Sequence, residues 1–182
     1  MNQYQLTDDA HERLGLLLKA RVPWLLVGLI GGIVATFLVS SFEKLLSSNI
    51  ALAFFLPLIV YMSDAVGTQT ETVYVRNLAK FRDNFLVYLA KEIMIGISFG
   101  TLFGILLGAF AYVWLGSVQI ATTIGIAMLI NAIIAPVVAL IVPEILFKEH
   151  TDPALGGGPF TTIIQEIISL VVYFVVAIKI II

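Results

Sequence analysis

The chain has 182 residues, of which 60% are hydrophobic and only 12% charged, with a mean hydropathy of +1.05. Soluble domains carry about 25% charged residues, so this is the composition of an integral membrane protein, and a net charge of -2 without a basic patch excludes nucleic acid as a partner. Cysteine is absent, which removes disulfides, thiolate metal sites and cysteine nucleophiles.

The first 21 residues hold Asp8, Asp9 and Glu12 beside Arg13, Lys19 and Arg21. No short apolar core with a small-residue cleavage site follows, so the segment is not a signal peptide. Thr7 followed by Asp8 and Asp9 reads as a helix N-cap with an acidic first turn, opening a short, partly helical cytoplasmic segment. Residues 22–182 then form a transmembrane domain. Hydropathy predicts five helices, each needing about 20 residues to cross the hydrocarbon, so the fold class is an all-α membrane protein. The first span runs from about Val22 to Phe42, with Pro23 in its opening turn. The second covers about Ile50 to Val75, the third Ile93 to Leu115, the fourth Val118 to Pro143 and the fifth Ala154 to Ile178. The third carries Gly96, Gly100, Gly104 and Gly108 on one face, a spacing that lets helix backbones approach closely; packing within one subunit is preferred to a dimer seam. In the fourth, Asn131 reads as an interhelical hydrogen-bond donor, and Pro136 and Pro143 as residues that bend or end the helix.

Basic residues set the orientation. The N-terminal segment, the second connection (Arg76, Lys80, Arg82, Lys91) and Lys148 hold all but two of the ten Lys and Arg, leaving Lys44 and Lys179 opposite. By the positive-inside rule the N-terminus is cytoplasmic and the C-terminus outside. Trp24 and Trp114 near span ends fit interfacial anchors.

Chemistry enters with the acids. Glu166 is the only charge in the 25 residues from Ala154 to Ile178, and leaving it near mid-bilayer costs roughly 2.5–3.5 kcal/mol on insertion scales. The inner half of the second span, SDAVGTQTETVYV, is too polar to face lipid. At helical spacing Asp64, Thr68 and Glu71 share a face, with Gly67 beside them; Thr162, Glu166, Ser169 and Tyr173 give the fifth span a similar stripe. Asp64 lies roughly 21 Å below the outer end of its span and Glu166 roughly 18 Å below the same face, at 1.5 Å per residue. Close carboxylates repel unless a cation or proton intervenes. The functional reading is a metal cation held at mid-membrane by Glu166 and Asp64, in a passage lined by Gly67, Thr68, Gln69, Glu71, Thr162, Gln165 and Ser169. The alternative is that each carboxyl is protonated and hydrogen-bonded to a neighbouring helix. Glu71 is an inner site or a partner of Arg76, and Glu43 is a candidate entrance or a solvated helix end. Glu92 reads as an interfacial charge, Glu144 as structural and Asp152 as a cap of the fifth helix. Hard oxygen donors suit Mg²⁺, Ca²⁺ or Mn²⁺, and the only histidines, His11 and His150, fall in cytoplasmic segments.

The segments VPWLLVGLIGG, FFLPLIVYMSDAVGTQTETVYVRNLA, KEIMIGISFG and DPALGGGPFTTIIQEIISLVVYF resemble the transmembrane domain of the MgtE family of magnesium channels and transporters, over nearly all of the chain from Arg21 onward. The resemblance implies a homodimer of five-helix subunits in the cell membrane, with a pore between subunits lined by the second and fifth helices and Mg²⁺ as the transported ion; no organic cofactor is expected. The family's pore aspartate, counted from Pro159, corresponds to Glu166, one methylene longer. Where the family reads GGN, this chain has Ser63, Asp64 and Ala65, so an extra acid stands before the missing asparagine. That departure opens Mn²⁺, Co²⁺ or Ca²⁺ as the ion, and H⁺- or Na⁺-coupled exchange as the mechanism. The cytoplasmic sensor and CBS domains typical of the family are not recognised, which leaves control to a separate cytoplasmic chain or to none by that route. A membrane subunit that only assembles partners is the reading from another class. An enzyme is disfavoured, since no Ser–His, Cys–His or HExxH constellation occurs.

Overall fold

The computed structural model describes residues 11–78, 84–150 and 153–182. Among them it is all helix and connection: α1 (Leu14–Ser41), α2 (Glu43–Ser48), α3 (Ala51–Leu78), α4 (Phe85–Leu115), α5 (Val118–Lys148) and α6 (Pro153–Ile181). Five helices are long and apolar enough to cross a membrane, α2 being the exception. At 1.5 Å per residue a 28-residue helix such as α3 is about 42 Å long, so its ends reach beyond a hydrocarbon core of about 30 Å or the helix tilts.

Boundaries differ from the sequence expectation in four places. First, α1 begins at Leu14, so Pro23 lies inside the helix rather than in its opening turn. The stretch LGLLLKA is rich in strong helix formers, which extends the helix through the expected cytoplasmic segment. The proposed cap at Thr7, with Asp8 and Asp9, lies outside the described residues, as do Lys80, Arg82 and Asp152. Second, α4 starts at Phe85, where the Asn84 side chain accepts a hydrogen bond from Leu86 N at 3.0 Å and satisfies one of the helix's free donors. Third, α5 runs through Pro136 and Pro143 to Lys148; neither proline ends it. Both are buried against neighbouring helices, where packing compensates the missing backbone bond. Fourth, the first connection contains α2, which places Glu43 in that helix's first turn, exposed, instead of at the end of α1.

The centre of the bundle is α5, packed on α3, α4 and α6, while α1 rests mainly on α6. Glycines make the α4–α5 contact. A Cβ on Gly96 would lie 2.6 Å from Ala132 O, one on Gly100 2.7 Å from Leu129 O, one on Gly104 2.7 Å from Gly125 O and one on Gly108 3.1 Å from Ala121 O. The small-residue face therefore serves packing within the chain, as expected. The turn between these helices is tight: Gly116, with φ 66°, closes α4 and the Ser117 hydroxyl caps α5 by accepting from Ile120 N at 3.3 Å.

Polar pairs fasten the remaining helices. Glu92 is buried, where an interfacial charge was expected, and accepts a 2.8 Å hydrogen bond from Thr70 Oγ1 between α4 and α3. Glu144 accepts from the Tyr74 hydroxyl at 2.8 Å and pairs with Lys148 Nζ at 2.9 Å, a structural role. At the other end of the bundle Phe42 stacks on Phe174 with centroids 4.0 Å apart, and Trp114 packs with Phe54, Phe55 and Phe110.

Candidate functional site

Two antiparallel helices with polar residues at four-residue spacing build the site. Ser63, Gly67 and Glu71 of α3 meet Ser169, Gln165 and Thr161 of α6 in three successive rungs. In the first, Ser169 Oγ donates to Ser63 Oγ at 2.8 Å. In the second, the Gln165 amide lies across Gly67 in the space a Cβ would take. In the third, Glu71 lies beside Thr161 and over Gly157. This register puts Asp64 and Glu166 about two residues apart in level, roughly 3 Å along the helix axis. The expected match in depth is present in the fold.

Asp64 and Glu166 both open onto one groove of about 690 Å³ between α1, α3 and α6. Thr162 stands beside Asp64, and the two carboxyl groups are close enough to act on each other electrostatically. One wall is apolar, with Leu56, Pro57, Val60 and Leu170; the α1 side presents Thr36 and Ser40 among Ala35 and Val39. Asp64 Oδ1 is buried and has no hydrogen-bond partner. Among the described residues no three acidic or imidazole side chains converge as a metal centre. The chemistry is that of two carboxyl oxygen donors on an open face, not of a closed cage.

The other residues named from sequence fall into two groups. Thr68 and Gln69 are exposed on α3 but do not line this groove, and Glu43, exposed on α2, is not among its lining residues either. Gly67, Glu71, Gln165 and Ser169 are buried in the α3–α6 contact. The single polar stripe expected on α6 is therefore two. Thr162, Glu166 and Leu170 face the groove, whereas Thr161, Gln165, Ser169 and Tyr173 face the bundle interior. Glu71 likewise turns to α6, while Arg76 is exposed. Sequence reasoning missed Ser63, Thr161 and the α1 wall. The signal was there in the four-residue steps from Ser169 back to Thr161 and from Glu71 back to Ser63. Asn131 does bridge helices, donating to Ser169 O at 3.4 Å.

A family model described as a divalent cation transporter, MgtE, matches residues 56–176. The chain is 31% identical over 160 residues to the magnesium transporter MgtE of Bacillus subtilis, covering 86% of this chain and 36% of that protein. It is 32% identical over 160 residues to the MgtE of Enterococcus faecalis, with 86% and 35% covered. To that of Thermus thermophilus it is 30% identical over 162 residues, with 87% and 36% covered. The chain thus spans about a third of the length of the curated relatives it matches.

Proposed function

This chain belongs to the MgtE family of divalent cation transporters and is a multi-pass membrane protein, and from that premise we propose that it carries Mg²⁺ across the cell membrane through a passage formed where two copies bring their α3 and α6 helices together. The observation that carries the reading is the opening of Asp64 and Glu166, from two antiparallel helices, onto one groove. Carboxylates in an apolar phase are expensive, and they persist where they bind cargo or face water. The relatives are named magnesium transporters, and the donor set fits that ion: two carboxylates and a hydroxyl, all hard oxygens. Mg²⁺ gives up its water reluctantly. Six waters occupy roughly 180 Å³ in the liquid, so a groove of about 690 Å³ admits the ion with its shell. In a twofold assembly Asp64 and Glu166 supply four carboxylates. A membrane potential negative inside drives the cation into the cell.

Isothermal titration with Mg²⁺ and Mn²⁺ tests the site. Glu166→Gln keeps the shape and removes the charge, and it weakens binding by about tenfold or more, the value of one charged hydrogen-bonding partner. Glu43→Gln, on the exposed α2, leaves affinity within about twofold of wild type, a surface charge being worth little. Equal losses in the two variants would sink the assignment.

A further inference from the structure

We propose that Glu71, Thr161 and Gln165 form a second binding site, buried between α3 and α6, for one small monovalent cation of the Na⁺ type, separate from the divalent pair in the groove. All three residues are enclosed, with 7%, 1% and 2% of their surfaces exposed, and none lines the groove. The Thr161 hydroxyl and the Gln165 carbonyl oxygen are buried without a hydrogen-bond partner. The Gln165 oxygen can only accept and needs a positive or donating group, while the Thr161 hydroxyl, one helical turn away, can donate to the Glu71 carboxyl beside it and keep its lone pairs free. The carboxyl of Glu71 lies beside Thr161 and feels the charge of another acid, Asp64. Of the described bases, Arg76 on α3 is exposed and Lys148 on α5 pairs with Glu144 at 2.9 Å.

Two glycines make room. A Cβ on Gly157 would lie 2.6 Å from Glu71 Oε1, and a Cβ on Gly67 would overlap the Gln165 amide. Side chains at either position would push the oxygens apart. The charge count then selects the ligand. One carboxylate among neutral hydroxyl and amide oxygens balances a single positive charge. A divalent ion there would leave a net charge in a low-dielectric contact, where uncompensated charge is costly. The groove is open to water and carries two carboxyl groups from each chain, which suits divalent ions. Oxygen-only donors buried between the helices of a membrane transporter are the environment in which alkali cations are bound.

The test is thermal unfolding of the purified full chain in detergent, with EDTA present, pH fixed, and NaCl replaced by choline chloride at constant ionic strength. Na⁺ raises the wild-type midpoint by about 3–5 °C per tenfold increase above its Kd. Glu71→Gln abolishes that rise and Thr161→Val weakens it, so the proposal stands on two variants if one fails to fold. Glu166→Gln keeps the response to Na⁺ even if it binds no Mg²⁺, because it lies outside this site; failure of the divalent reading therefore leaves the test intact. Equal wild-type midpoints in Na⁺ and choline would overturn the site and leave its oxygens to buried water. A midpoint that follows pH through Glu71 but ignores Na⁺ would overturn it as well, in favour of a proton.

Discussion

At the scale of single residues, Asp64 and Glu166 are not equivalent. Glu166 sits in a helix that is otherwise uncharged from Ala154 to Ile178 and reaches the groove on the longer side chain. Asp64 stands beside Thr162, with one oxygen buried and unpartnered. A second carboxylate deepens the well for a divalent ion and slows its escape, and that matters in a conduit, where binding must be favourable enough to enter and weak enough to leave. We expect Asp64→Asn to weaken Mn²⁺ binding by about tenfold, corresponding to about 1.4 kcal/mol, chiefly through faster release. Stopped-flow displacement of Mn²⁺ reads that rate. An off-rate unchanged from wild type would mean that Asp64 turns away from the ion, leaving Glu166 to hold it alone.

At the scale of elements, the α4–α5 contact shows how much a glycine spacing fixes. The carbonyls of α5 occupy the places where side chains on α4 would begin. Backbone cannot yield as a flexible side chain does. Gly100→Ala, whose Cβ would meet Leu129 O at 2.7 Å and Leu129 Cα at 3.1 Å, is expected to cost about 1–3 kcal/mol, lowering the unfolding midpoint by about 2–4 °C for each kcal/mol. Gly15→Ala, on an open face of α1 with nothing within 4 Å, should leave it unchanged or slightly raised; equal losses at both positions would argue against a packed seam. The same contact marks what was legible in the sequence. Five spans, the close glycine face and the level of the two acids follow from periodicities of 3.6 and from length. Helix ends do not, because apolar helix formers continue past the membrane boundary, as at Leu14, and because prolines at 136 and 143 are carried by neighbours. The division of α6 into two stripes was also hidden. Residues three, four and seven apart share a broad face in sequence, whereas a groove and a packed contact lie side by side within that face and are told apart only when α3 is in place.

At the scale of the molecule, one flank of the bundle is unlike the others. α1, α3 and α6 surround an open groove holding two acids, while the opposite flank shows α4 as a largely apolar surface suited to lipid. Acids cannot be left toward hydrocarbon, so the groove must meet water or protein, and the proposed twofold partner would supply both by placing its own groove opposite. The absence of cysteine makes the arrangement directly testable. Tyr61 lines the groove and is 67% exposed, and Val113 on α4 is 83% exposed and lies outside it. If the grooves face one another, Tyr61→Cys in native membranes is captured by a short thiol cross-linker as a covalent dimer, and Val113→Cys, despite its greater exposure, stays monomeric on denaturing gels. Mg²⁺ between the facing carboxylates should raise the Tyr61→Cys yield, since the ion screens four like charges that otherwise hold the copies apart. Cross-linking of equal yield at the two positions, or confined to Val113→Cys, would place the partner on the α4 flank and leave Asp64 and Glu166 without the second half of their passage.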